Sequence, residues 1–596
     1  MTTGMKLPVG IEKRIEAELK DAYDFDPRDP LFGLTAQEMS GPNMSRRSAL
    51  RLMAAAGTLT AMHLIPRVGI DQAHAASHAK GGTLRCGWSG VSEILTIDPA
   101  KIHQALQFQI SSNIISGVMH IDANLVPRGD LAIDWTVSDN GTEYVFNLRE
   151  GVTYHNGDKF TAEDVVFTYE RSRDPKNSIH SGVVKNIKEA IAVDDHTVKF
   201  ILKSPQASFL GKTLERSSGR AMGIVSRGAL ASMGEQEYAL KAVGTGPFKV
   251  TAHTLGQDMV LERFENYYDP ERPKLDKVII TPIPENEPLA AAIEAGDIQF
   301  ISGNEVEPAL VSRFKANPDI VVEQVPAPGF EGIFMNPWRE PFKVPDFDKP
   351  LSELLKEPGF MVRMAIAKAI DRDRYIERAQ FGNGIPCYGT INPAMAFYFD
   401  TSLAETSAQK FDLAEARRLL AAAGYPDGKG FPKLKILVRQ DRRREVQVIS
   451  DILKKNLNID TEVEPVDTTI SGQRFWAMDF DMLRIGSAAD FDPDDGMVDW
   501  MMTTSKFNGP TRDKANQRFG FFSEKRADEL IDTQNKQVDP EVRREMVKEA
   551  NKITSDKVAM AFIFHPTWFF IFRKNVNFPK ESWITGLADL DRTTIS

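Results

Sequence analysis

Residues 486–496 read GSAADFDPDDG, which places Asp490, Asp492, Asp494 and Asp495 within six positions. Carboxylates this close could ligate a cation, do acid–base chemistry, grip a cationic solute, or fold into a polar turn. Each option makes a demand on the neighbouring residues. A calcium loop of the EF-hand type, begun at Asp490, has acids at its first, third and fifth positions. Asp495, however, stands where the sharp turn needs glycine, and Met501 stands where a bidentate glutamate belongs. Glycosidic hydrolysis needs carboxylates opposed across a cleft, whereas these are sequence neighbours with no partner motif. No G-x-S-x-G or Walker A pattern is present, and GTGPFK at 244–249 has Pro247 where a phosphate cradle needs an N–H. Two readings stay open. One carboxylate, Asp490 or with a shifted register Asp492, faces a ligand cation, with Phe491 between them. Residues 493–496 then form a solvated turn, because Asp-Pro and Asp-Asp-Gly are turn formers whose side chains bond their own backbone.

The elements around the stretch support the first reading. It follows DFDMLRIG at 479–486, a strand candidate in a region where strands and helices alternate. KLKILVR reads as a strand, EVQVISDILKKNL as a helix and IDTEVEPV as a strand. An acid just past the carboxyl end of such a strand lies where open α/β sheets bind ligands. Upstream, DWTVS and EYVFNLR flank Asp139–Asn140–Gly141 as a hairpin. Thr161 with Asp164 three residues on reads as a capping-box start for the helix that follows. EPLAAAIEAG reads as a helix stopped by Gly296 and feeding a strand from Ile298. Residues 326–350, rich in Pro, Gly and aromatics, mark a boundary between two α/β regions. Residues 360–379 then run on in helical register.

The whole chain has 596 residues, 42% hydrophobic and 26% charged, so it is long enough for more than one domain. Its net charge of −10 and the lack of a long basic run argue against nucleic-acid binding. Cys86 and Cys387 lie far apart. They form either one disulfide or two buried thiols, and no Cys/His spacing suggests a metal centre or cofactor. Near the start, SRRSALR at 45–51 precedes a modest apolar run from Leu52 to Ile65, then AHA at 73–75. That is an export signal with paired Arg46 and Arg47, similar to a twin-arginine leader, with cleavage expected after Ala75. Ahead of it, Ile11, Ile15, Leu19 and Ala22 recur at helical spacing. A short amphipathic helix and a disordered extension both fit that pattern.

The segment LAIDWTVSDNGTEYVFNLREGVTYHNGDKFTAEDVVFTYER, 131–171, resembles the signature of the family 5 extracytoplasmic solute-binding proteins, the peptide/nickel-type receptors of ABC importers. LTIDPA at 95–100, GTGPFKV at 244–250, RFENYYDPERPKLDKVII at 263–280, VRMAIAKAIDRDRYI at 362–376 and AEARRLLAAAGYPDG at 414–428 extend the likeness almost end to end. The resemblance implies a two-lobed α/β receptor of the periplasmic-binding type that closes at a hinge, with an extra inserted domain. It divides the chain into the extension and leader (1–75), a first lobe (76–120, 244–327 and 563–596), the extra domain (121–243) and a second lobe (328–562).

It also implies solute binding without chemistry, delivery to permease and ATPase subunits, a periplasmic location and a monomer exported by the twin-arginine machinery. The two rivals are a hydrolase on a related lobe pair and a periplasmic chaperone or signalling receptor. In peptide-binding relatives an aspartate of an A-D-x-x-(D/E)-P stretch pairs with the ligand's amino group. AADFDP aligns Asp490 with that acid, although the spacing to Pro493 is one residue shorter and Ser487 stands where Trp is frequent. Trp88 and Ser89, ending the first strand candidate, line the cleft or, for Trp88, pack in the core. Asn336 and Trp338 in FMNPW stand near the lobe boundary, Asn336 for inter-lobe hydrogen bonding or ligand contact. Trp476 reads as packing.

Overall fold

A computed structural model describes residues 81–596 apart from 89–92, 103–104, 217–221, 304–305, 307, 488–490, 506–520, 538 and 585–586. The extension, the leader and its cleavage site, Ser89 and Asp490 therefore lie outside the described residues.

Three sheets organise the chain. The first has seven strands in the order Ile320–Pro326, Thr567–Arg573, Phe300–Gly303, Thr83–Trp88, Lys277–Pro282, Met259–Arg263 and Phe248–His253. Thr83–Trp88 is at its centre and parallel to both neighbours, and it carries Leu84, Cys86 and Trp88 into the core while Thr83 and Arg85 on the alternate positions are exposed. The second sheet has six strands in the order Ile385–Pro386, Ala561–His565, Phe330–Met335, Met482–Ser487, Leu434–Arg439 and Thr461–Val466. Its core is backed by helices Pro358–Ala369, Leu413–Ala422 and Arg443–Leu457. In the last of these, Val446, Ile449, Leu453 and Leu457 recur every three to four residues and are buried, which is the pattern of a helix laid on a sheet. The third sheet is antiparallel, in the order Ala132–Val137, Glu143–Leu148, Thr197–Leu202 and Ile187–Asp194. It has its own core around Phe146, Tyr169, Phe200 and Phe209.

The local readings of turns and caps match these elements. The hairpin over 132–148 is formed, and Thr161 and Asp164 make a reciprocal capping box at helix Ala162–Arg173. Gly296 ends helix Asn286–Ala295 in the left-handed conformation at φ 89°, which glycine adopts without a Cβ clash. The helical register expected over 360–379 is cut in two. Ile370 is extended at φ −91°, ψ 105°, and the Asp371 side chain caps a second helix, Arg372–Gln380, by accepting from Arg374 N at 3.1 Å.

The chain passes between the first and second sheets at 327–329 and again at Pro566, and the two passages are bonded to each other. Ala327 N donates to Pro566 O at 2.9 Å, and His565 Nδ1 lies 2.8 Å from Gly329 O, which makes that nitrogen the donor. Burial lowers the His565 pKa to about 4, so the ring is neutral and needs no counter-charge. Cys86 and Cys387 are free buried thiols, which settles the alternative left open by their spacing. Among the described residues no helix is long and apolar enough to cross a membrane.

Candidate solute site

The acidic stretch sits between strand Met482–Ser487 of the second sheet and helix Pro493–Trp500. The expected solvated turn at 493–496 is not found. Pro493, Asp494, Asp495 and Gly496 are all buried and form the first turn of that helix. The reason is local chemistry. Pro493 is in the first turn, where its missing N–H costs nothing. Asp492 is the N-cap and accepts from Asp494 N at 2.9 Å. Asp495 reaches back to accept from Asp492 N at 3.2 Å and Phe491 N at 3.1 Å. The result is an Asp-x-x-Asp capping box whose acids also favour the positive end of the helix dipole.

Two buried acids, Asp494 and Asp495, and the partly buried Asp492 require cations, and distant elements supply them. Arg543, on helix Pro540–Asp556, grips Asp492 with both ends of its fork, Nη2 to Oδ1 at 2.5 Å and Nη1 to Oδ2 at 3.0 Å. Its Nε donates to Gln534 Oε1 at 2.9 Å, and Nη1 also reaches the Tyr398 hydroxyl at 3.0 Å. Gln534 Nε2 passes the network on to Asp494 Oδ1 at 3.2 Å. From the third sheet's side, Lys212 Nζ lies 3.2 Å from Asp494 Oδ2 and 2.8 Å from Asp495 Oδ1. Burial would lower the Arg543 pKa, but Asp492 more than reverses this, so the guanidinium stays charged. Burial raises the Asp494 pKa, and the neighbouring Asp492 and Asp495 add to the rise against the pull of Lys212.

The remaining candidates fall in different places. Phe491 is buried against Ile102, Phe108 and Ile121. Trp88 ends the central strand of the first sheet with its ring in the core. Its indole Nε1, a donor only, is buried without an acceptor among the described residues. Asn336 belongs to the second sheet's own framework rather than to a contact between lobes. Its Nδ2 donates to Met478 O and Phe480 O, both at 3.1 Å, while its Oδ1 accepts from Trp338 N at 3.0 Å. The Trp338 ring packs on the second core. Trp476 packs edge-on against Phe475 and is 40% exposed. The structure thus brings Phe491 and Asp492 together at the junction of the third sheet with the second, and it places Asn336 and Trp338 elsewhere. Lys212, Tyr398, Gln534 and Arg543 were missed from sequence. Their only signal was indirect, in that four clustered acids need counter-cations somewhere. Among the described residues no group of three or more His, Cys, Asp or Glu side chains is placed to hold a metal ion.

Known proteins share this architecture. The chain is 29% identical over 338 residues to the glutathione-binding protein GsiB of Shigella flexneri serotype 5b; the match covers 56% of this chain and 61% of that one. The aligned stretch thus spans less than two thirds of that relative. Among solved structures, the periplasmic binding protein DppA of Helicobacter pylori with peptide STSA superposes with a TM-score of 0.68 at 23% identity, covering 87% of this chain and 98% of that one. NikZ of Campylobacter jejuni with Ni(L-His) superposes with a TM-score of 0.64 at 20% identity, covering 83% and 94%. At these identities the structures show the two-lobed α/β fold alone. The family model for bacterial extracellular solute-binding proteins, family 5, matches residues 126–509, and the chain belongs to that family.

Proposed function

We propose that the protein is the solute receptor of an ABC importer, closing its lobes around a small amine-bearing, peptide-like solute and handing it to a permease without chemical change. The boundaries proposed for its lobes are those of the sequence reading, with the four-stranded domain as the insert. Export by the twin-arginine route, cleavage after Ala75, a periplasmic location and a monomeric state complete the proposal. The observation that carries it is the division of labour in the acidic stretch. Asp492 is held by Arg543, and Asp494 and Asp495 by Lys212. The role of meeting a solute cation therefore falls to Asp490, between strand Met482–Ser487 and the buried Phe491. Trp88, whose indole N–H has no acceptor among the described residues, is proposed as the donor from the opposite lobe. A relative that binds glutathione and a fold shared with peptide receptors support the same solute class.

The test is a thermal-shift and calorimetric screen with trialanine, N-acetyl-trialanine, glutathione, opines and nickel–histidine. Trialanine or glutathione should stabilise the protein and be recovered intact. Asp490→Asn should weaken the amine-bearing ligands by more than about tenfold and leave the acetylated one unchanged. Cleavage of any of them would replace the receptor reading with the hydrolase one. Unchanged trialanine affinity in the variant would remove Asp490 from the site.

A further inference from the structure

Helices Lys525–Gln534 and Pro540–Asp556 leave a surface groove between them, outside the core of the second sheet. Arg526, Glu529 and Leu530 line it from the first helix, and Glu545, Met546 and Glu549 from the second. Spacings of three and four residues put each set on one face of its helix. The groove holds about 510 Å³, within the range of ligand sites, about 300–1,000 Å³. Its floor is apolar: Leu530 is buried in the second sheet's core, and Met546 packs partly buried against it. Its walls are acidic, since Glu529, Glu545 and Glu549 are all exposed. Arg526 donates through Nε to Glu549 at 2.9 Å and through Nη1 to Glu529 at 3.0 Å, so one guanidinium serves two carboxylates from opposite walls. Glu545 has Lys548 3.5 Å away on its own helix, an exposed pair of a kind that contributes little. The other faces of the same two helices hold the acidic stretch, where Arg543 grips Asp492 and Gln534 donates to Asp494.

We propose that this groove docks a partner protein through a basic amphipathic helix, whose apolar side chains reach Leu530 and Met546 while flanking lysines or arginines meet Glu529, Glu545 and Glu549. Charge complementarity chooses the flanks, because three carboxylates along the walls face one guanidinium. The floor chooses the apolar side chains, since a small hydrated cation would leave Leu530 and Met546 in water. The valley between two packed helices suits a third laid into it, which is how amphipathic helices are commonly recognised. The exposed carboxylates contribute steering and selectivity more than tight pairing, so docking is salt-sensitive. The groove faces away from the acidic stretch, and the proposal goes beyond the receptor reading without resting on its solute. A partner seated there touches the two helices that carry Arg543 and Gln534.

The experiment titrates the full chain into a fluorescent helical peptide with leucine at every third or fourth position and lysine beside each, read by anisotropy. Two control peptides carry glutamate for every lysine or serine for every leucine. The lysine–leucine peptide should bind, and more weakly as salt is raised; the glutamate peptide should not bind, and the serine peptide should lose about tenfold or more. Glu529→Gln with Glu545→Gln, both exposed, should weaken the lysine–leucine peptide by about tenfold or more. Asp460→Asn with Glu462→Gln removes the same charge from an exposed surface outside the groove and should leave binding unchanged. Equal weakening by the two double variants, or none by the first, overturns the groove as the site. Equal binding of the serine peptide, with displacement by spermidine, overturns the helix in favour of a small polyamine. Self-association of the wild-type chain that the groove variant abolishes in sedimentation assigns the face to a second copy and overturns the basic partner.

Discussion

Two buried arginines of the second lobe solve the same problem in opposite ways. Arg363, on helix Pro358–Ala369, is fully buried and meets no carboxylate among the described residues: it donates to Met335 O and Val558 O at 2.6 Å and Ala559 O at 3.2 Å, and its guanidinium lies over the Phe347 ring. Burial pushes its pKa down to about 9, which still leaves it charged at neutral pH. Arg543 is nearly as buried but meets a carboxylate, and its pKa is held above the ordinary range. Carbonyl dipoles are fixed to the backbone, so Arg363 is a fixed rivet inside one lobe. The Asp492 carboxylate sits on a loop at a junction between domains, where a charge pair gives direction as well as strength. The difference teaches that an acid near a cleft is available to solute only if no protein cation has claimed it.

The sharpest way to break this comparison is to remove each cation. Arg543→Met leaves the partly buried Asp492 without its cation, and urea unfolding should show a loss of about 3–5 kcal/mol. Arg363→Met strands carbonyls but no charge, and relieves the burial of the guanidinium itself. Its loss should be about 1–3 kcal/mol. Adding Asp492→Asn to Arg543→Met should recover most of the first loss and none of the second. Equal losses for the two single variants would mean that the carboxylate is not what distinguishes the sites.

These pairings also mark where sequence reading stopped. The hairpin over 132–148, the Thr161–Asp164 box and the stop at Gly296 are each set by neighbouring residues, and each was legible. Helix Pro493–Trp500 starts with the same chemistry as helix Ala162–Arg173, an acid three residues after an N-cap oxygen. It was nevertheless read as a turn, because Pro493, two further aspartates and Gly496 are turn residues when no tertiary partner is known. Those partners are far away in sequence. Lys212 is 282 residues from Asp494, and Arg543 is 51 from Asp492. No local pattern encodes either pairing. Asn336 was misplaced for the same reason, since its carbonyl partners at Met478 and Phe480 lie more than a hundred residues on.

A finer contrast lies within the stretch itself. Asp495 caps two backbone N–H groups and pairs with Lys212, so Asp495→Asn loses the ion pair and misorients the cap. Its cost should be about 2–3 kcal/mol by urea unfolding. Asp494 has a raised pKa because burial and its acidic neighbours outweigh Lys212, so it already tolerates a neutral form. Asp494→Asn should cost under about 1 kcal/mol. Reversal of this order would show that Lys212 belongs chiefly to Asp494.

A pH-dependent effect separates both arginines from His565, which also meets a carbonyl but can shed its charge. Its folded pKa is near 4, whereas an unfolded histidine titrates near 6.5. Between those values the unfolded chain binds the proton and the folded chain does not. Its contribution is therefore fully present above about pH 6.5 and is lost as the pH falls toward 4. His120 and His155, likewise lowered to about 4 by burial, add to the same trend. His565→Asn keeps an N–H for Gly329 O and removes the titration. The drop in stability between pH 7 and pH 5 should shrink by about 1–2 kcal/mol in this variant. Urea unfolding at pH 7 and at pH 5 reads this directly, and an equal drop in both chains would assign the acid sensitivity to His120 and His155.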